Sequence, residues 1–215
     1  MRSELKFDAK LAGWYKNKIK GGIAEAACKA HFEALGYAVE STGIEHIAPQ
    51  YCKLNHSLPG NYIKNVRELQ NLPDFIISRI HPSTRINTEQ HKAGKSDAVL
   101  VEAKYRTEVD LEDFTKEMLE TYQNLLSKNI NFIVYLVCKR YKLKSSEPDF
   151  RNDSFVFLNF FNPEKSLTNG DTGWRKAGDW DGFSKFPLYQ GLQDGNNFNQ
   201  LYLEVVHPVL NEMLG

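Results

Sequence analysis

With 215 residues, 41% hydrophobic and 25% charged, the chain can bury one good-sized core and has the composition of a soluble globular protein. Its 27 basic and 27 acidic residues cancel, which argues against avid, indiscriminate binding to nucleic acid and favours a selective substrate met by a local basic face. No apolar run approaches the roughly 18 residues of a membrane span, and MRSELKFDAK lacks the apolar core of a signal peptide, so a cytoplasmic protein with no membrane partner is expected. Cys28, Cys52 and Cys138 are odd in number and widely spread, which fits free thiols better than a disulfide framework.

In chain order, residues 1–20 interleave Lys6, Lys10, Lys16, Lys18 and Lys20 with Phe7, Trp14 and Tyr15. That pattern suits phosphate contacts and base stacking, although ordinary helix periodicity favours a solvated helix docking Leu11, Trp14 and Ile19 on the core. Lys20-Gly21-Gly22 then opens a helical stretch through Ala34, with Ile23, Ala27, Ala30 and Ala34 at helical spacing and Gly36 as its stop. Glu25, near the start of that stretch, is either a first-turn acid complementing the helix dipole or a site residue. A strand begins at Tyr37-Ala38-Val39.

Residues 41–71 are polar and broken by Pro49, Pro59 and Gly60, so a substrate-facing loop is expected, offering Tyr51, Lys53, Tyr62, Lys64 and Arg67. The competing reading packs a short helix of Val66, Leu69 and Leu72 on the core. Cys52 and His56, with His46 nearby, supply only one of the two ligand pairs that structural zinc needs.

Pro73 to Ser78 is a short apolar strand whose one carboxylate is Asp74, and Val99 to Lys104 is a second that carries Glu102 and Lys104. Residues two apart on a strand share a face, so Glu102 and Lys104 point one way while Val101 and Ala103 point the other. Burying either charge costs several kcal/mol unless it is paired or bound to a metal. Two strands with one inward carboxylate each can bring both to one point, where a hard divalent cation binds. The connection from Arg79 to Lys95 is the most basic segment, with Arg85 near its middle, and is expected to hang over the substrate.

Beyond Tyr105-Arg106, the residues Leu111, Phe114, Met118, Leu119, Tyr122, Leu125 and Leu126 mark an amphipathic helix, and Ile130 to Cys138 an apolar strand. A strand, helix and strand in this order normally make the two strands parallel neighbours. Gln123 and Tyr122 face either the site or solvent. The remainder comprises a basic patch at Lys139, Arg140, Lys142 and Lys144, a strand at Phe155 to Phe161, a turn-rich segment with Trp174, Trp180, Phe183, Phe186 and Tyr189, and a final helix from about Phe198 to Leu214 kinked near Pro208.

Pro73-Asp74 followed after 28 positions by Glu102-Ala103-Lys104 resembles the PD-(D/E)xK nuclease superfamily, the fold of many restriction enzymes, junction resolvases and repair nucleases. Gly-x-x-Ala-Glu at Gly21 to Glu25, before a glycine stop and a strand, is similar to the N-terminal element of archaeal-type Holliday junction resolvases. The resemblance covers roughly residues 20–140. It implies an α/β protein with a restriction endonuclease-like core and a mixed central sheet flanked by helices; the aromatic-rich residues of about 141–215 extend beyond what the family carries and read as a C-terminal elaboration of the same single domain, 1–215. It further implies a Mg²⁺-dependent endonuclease acting on nucleic acid, DNA in the first instance, with Mn²⁺ as the substitute ion. Asp74, Glu102, the Ala103 carbonyl and Glu25 would hold the metal, Lys104 would orient the attacking water or stabilise the developing anion, and Lys20, Arg79, Arg85, Lys95 and Arg106 would contact substrate. The Gln-x-x-x-Tyr signature of recombination nucleases is absent, since Gln123 is followed by Ser127. A homodimer is compatible with this reading. Two alternatives stand beside it: a nucleic-acid-binding or assembly module without turnover, and an unrelated α/β protein in which Glu102 and Lys104 form a structural pair far from Asp74.

Overall fold

The computed structural model describes residues 9–42, 72–79, 98–142, 153–162, 173–178 and 192–214, with the backbone alone for 9–15, 79 and 192–196. Its centre is a strand, β4 (Phe132–Lys142), whose first seven residues are all buried. Ile133, Tyr135 and Val137 enter one hydrophobic layer, while Phe132, Val134, Leu136 and Cys138 enter another on the opposite face, as the period of two requires. Full burial of a large apolar side chain is worth about 1.5–3 kcal/mol, so this strand alone anchors both layers.

Around it lie β1 (Tyr37–Ser41), β2 (Phe75–Arg79), β3 (Ala98–Asp110), β5 (Phe155–Phe161) and β6 (Arg175–Lys176), in sequential order across one six-stranded sheet. Every neighbouring pair is antiparallel except β3 and β4, which are parallel. The crossover between those two carries α2 (Leu111–Thr121) and α3 (Gln123–Ser127), as the pattern of strand, helix and strand anticipates. Asp110 starts α2 by accepting from the backbone N–H groups of Glu112 and Asp113, and Leu111, Phe114, Thr115 and Met118 turn inward. β3 continues past Lys104 to Asp110 because β4 stays in register beside it, Asp110 facing Lys142.

The opposite face is covered by α1 (Ala9–Ala34) and by a C-terminal run of α4 (Leu192–Leu201), a π-helical turn (Tyr202–Val206) and α5 (His207–Leu214). α1 does not start at Gly21-Gly22 but passes through both, and Ile19, expected on the core, is 65% exposed. Its end is as anticipated: Gly36 takes φ +84° and its N–H donates to the Glu33 carbonyl at 2.9 Å. The bend expected near Pro208 takes the form of the wide turn just before it, where the His207 N–H reaches the Tyr202 carbonyl. Pro208 has no N–H for a regular bond to the Glu204 carbonyl, and the wider turn absorbs that mismatch.

The C-terminal segment joins the same layers. Trp174 stacks on Phe114 and donates its indole N–H to the Leu111 carbonyl at 3.1 Å and to Thr115 Oγ1 at 2.8 Å. Asp153 accepts from His207, Asn211 and the Ser154 N–H, which fastens the start of β5 to α5. Among the described residues no helix is long and apolar enough to cross a membrane.

Candidate functional site

The antiparallel ladder of β2 and β3 reaches Phe75 opposite Val101, so one step further out Asp74 and Glu102 stand across from each other. Asp74 lies in a bend just before β2 and not within it, and its Oδ2 accepts the Ala103 N–H at 2.8 Å. Alternation along β3 places Glu102 and Lys104 on one face and Val101 and Ala103 in the layer against α1, as the sequence indicates. Glu102 is 1% exposed, Lys104 Nζ pairs with its Oε1, and its Oε2 is buried with no hydrogen-bond partner.

Beside these groups a cavity of about 340 Å³ opens between α1 and β3, lined by Asn17, Gly21, Glu25, Asp74, Ala103, Lys104, Tyr105, Arg106 and Thr107. Asn17, Gly21 and Glu25 are successive i, i+4 positions and therefore form one stripe of α1. Lys20 reaches the cavity's rim, where its Nζ donates to the Tyr105 hydroxyl at 3.3 Å and lies 5.1 Å from the ring centre. Arg106 lines the cavity too, but its guanidinium is held by Glu117 at 2.6 Å and sits 5.1 Å over Phe114. Arg85 and Lys95 lie outside the described residues, as does the side chain of Arg79, whose backbone pairs with Tyr37. The Cys52, His56 and His46 group and the loop of residues 43–71 also lie outside them.

The electrostatics reflect crowding of like charges. Burial first, then Glu102 and Glu25, push the Asp74 carboxyl up to about 7, against the smaller opposing effects of Lys104 and the Ala103 N–H. Burial pulls the Lys104 ammonium down, but Glu102 and Asp74 outweigh it and hold its pKa above the ordinary value, so it stays a cation at neutral pH. Burial, followed by the fields of Asp74, Glu102 and Glu25, drives the Cys28 thiol well up, which keeps it protonated at neutral pH. Tyr122 is buried next to Glu102, and burial and that carboxylate both raise its phenol. Gln123, the other helix residue open to either reading, faces solvent.

The donor set suits a hard divalent cation. Two facing carboxylates, one of them with an orphaned buried oxygen, share a site whose charge is only partly offset by Lys104. Among the described residues no group of three or more His, Cys, Asp or Glu side chains is close enough to hold an ion by itself. A cation here would therefore rest on Asp74, Glu102, the Ala103 carbonyl and waters, a set that Mg²⁺ accepts because it keeps much of its hydration shell. Glu25 stands in the cavity wall, positioned to join through water.

Three further residues of the cavity, Asn17, Tyr105 and Thr107, escape a reading that starts from charges. The four-residue spacing of Asn17, Gly21 and Glu25 was the available signal for the first. Against models of protein families, curated proteins and solved structures, the chain gives no match.

Proposed function

We propose that the chain is a nuclease that hydrolyses phosphodiester bonds with a bound Mg²⁺ or Mn²⁺ ion, on a restriction endonuclease-like core. The observation that carries this reading is the meeting of Asp74 and Glu102, 28 positions apart, at one end of the ladder with Lys104 beside them and a cavity that Asp74 and Lys104 line. A distant Asp74, which a purely structural Glu102 and Lys104 pair entails, does not describe that geometry. The β3, helix and β4 crossover behind the site is the unit that the nuclease superfamily shares.

Asp74, Glu102 and the Ala103 carbonyl would hold the ion, and when bound it would acidify a water and neutralise charge growing on the phosphorus. Lys104, protonated and only one-third exposed, is placed to orient that water or to bind the developing oxyanion. Lys20 and Tyr105 at the rim and Asn17 and Thr107 in the wall would receive phosphate oxygens or a sugar hydroxyl. Arg106 contributes once a phosphate competes with Glu117 for its guanidinium.

The test is cleavage of linear duplex, single strand, flap and four-way junction with Mg²⁺, Mn²⁺ or EDTA, comparing the parent with Glu102→Ala. Metal-dependent cutting that the substitution abolishes is expected. A parent that binds these substrates without metal and cuts none of them refutes the nuclease and leaves a binding module.

A further inference from the structure

The helical crossover breaks at one residue. α2 ends at Thr121 and α3 starts at Gln123, and between them Tyr122 leaves helical geometry at φ −106°, ψ 19°. Its N–H still donates to the Met118 carbonyl at 3.0 Å, and its own carbonyl accepts from the Leu125 and Leu126 N–H groups at 3.0 and 3.1 Å. The break turns a single side chain inward, because Thr121 and Gln123 are exposed while Tyr122 is 4% exposed. Its ring packs on Phe132 with centres 4.7 Å apart. Across the parallel ladder Phe132 stands beside Leu100, and the next pair on that face is Val134 with Glu102. The phenol and the buried Glu102 carboxylate therefore share the α2 side of the sheet, and Glu102 is the charged group that meets the hydroxyl, by its field and by hydrogen-bonding contact. Thr115, the buried hydroxyl of α2, is engaged elsewhere, by the Leu111 carbonyl and Trp174.

We infer that Tyr122 is a positioning residue for the metal site: together with Lys104 it fixes the Glu102 carboxylate and keeps the unpartnered Oε2 available to the ion. Glutamate presents its carboxylate through several rotatable bonds, and Lys104, about one-third exposed on a flexible stem, restrains them weakly. A tyrosine ring buried against another ring and held at a helix break is the stiffer support, and a buried phenol needs a polar partner of its own. Tyr122 does not line the substrate cavity, so its influence passes through Glu102 alone. The inference rests on the proposed metal site and names a residue of this chain that tunes it.

Calorimetric titration of the full chain with Mn²⁺ tests it independently of turnover. Tyr122→Phe keeps the ring and its packing on Phe132 and removes only the hydroxyl. The Mn²⁺ dissociation constant is expected to rise at least ~10-fold. In a Glu102→Asp background the shorter side chain keeps a carboxylate for the ion but draws back from the phenol, so there Tyr122→Phe should change the constant less than ~2-fold. In cleavage assays the rate of Tyr122→Phe should fall at limiting Mn²⁺ and recover as Mn²⁺ is raised, with KM for substrate unchanged. A Tyr122→Phe protein that takes up Mn²⁺ as the parent does, or that loses the same factor in both backgrounds, overturns the inference and leaves the metal site standing. A parent that takes up no Mn²⁺ overturns the site and the inference with it. A parent that binds Mn²⁺ but cuts nothing refutes the nuclease alone, and the two affinities still decide the role of Tyr122.

Discussion

Replacing Asp74 by asparagine should make the metal-free protein more stable. The carboxyl is raised from its ordinary 3.8 to about 7 by burial and by Glu102, so the folded state binds its proton more tightly than the unfolded chain does. A raised acid destabilises the fold as pH climbs from about 4 through 7 and leaves it unaffected below that window. Fully expressed, the displacement corresponds to about 4 kcal/mol, and sharing of the repulsion with Glu102 brings the expected gain to about 2–4 kcal/mol at pH 8. Asparagine keeps the shape and an oxygen that accepts the Ala103 N–H, so the change removes charge and little else. Urea unfolding in EDTA at pH 4 and pH 8 measures it: the two proteins should coincide at the lower pH and separate at the higher, with Asp74→Asn the more stable. Added Mg²⁺ or Mn²⁺ should then stabilise the parent and not the variant. An Asp74→Asn protein less stable than the parent at pH 8 in EDTA would refute the reasoning, because the carboxylate would then be a structural anchor and not one of two crowded acids.

The other predictions follow from neighbouring groups. Lys104→Ala strands the buried Glu102 carboxylate and should cost about 3–5 kcal/mol in urea unfolding, whereas Glu102→Gln with Lys104→Met should recover most of that loss. In Lys104→Ala activity and stability should therefore fall together. His31 is buried between the Tyr135 hydroxyl at 3.1 Å and the Phe198 carbonyl at 3.0 Å, and burial lowers its pKa to about 4. Its neutral form is needed in the fold, so its contribution of about 3 kcal/mol is complete above pH 6.5 and lost as pH falls toward 4; His31→Gln should flatten that part of the profile of stability against pH. A Cβ at Gly21 meets nothing within 4 Å, so Gly21→Ala should stabilise α1 by about 1 kcal/mol, read as a higher Tm. Gly21→Gln should keep that gain yet fill the cavity and weaken substrate binding at least ~10-fold.

What could be read from the residues was what periodicity and the cost of buried charge dictate. Alternation put Glu102 and Lys104 on one face of β3, the leucine and aromatic spacing gave α2 and its crossover, and Phe155 to Phe161 is the strand anticipated. The meeting of Asp74 with Glu102 was legible because neither carboxylate has another inexpensive place in an apolar strand context. α1 was harder to read, since two adjacent glycines carry the propensity of a boundary, and packing of Ala24, Cys28, His31 and Phe32 on the sheet overrides it. One reading of residues 1–20 grouped Ile19 with Leu11 and Trp14 on a core-facing side by helical periodicity, and its outward placement depends on the phase of a helix whose start was misplaced. The two-residue β6 and the wide turn at Tyr202–Val206 have no local pattern strong enough to announce them; both arise from neighbours already in place.

The central strand has a consequence for how the protein must be handled. Phe132 to Cys138 reads FIVYLVC, seven residues without a charge, a proline or a glycine, and in the fold both of its edges are covered, by β3 and by β5. Before those neighbours arrive, the same segment is a template on which other chains can add strands, and its parallel partner is slow to dock because the helical crossover must form first. Lys139, Arg140 and Lys142, which follow at once and are partly exposed, act as gatekeepers that limit such stacking by charge repulsion. Refolding yield should therefore fall with chain concentration and with ionic strength, and fall further when those three cations are replaced by serine.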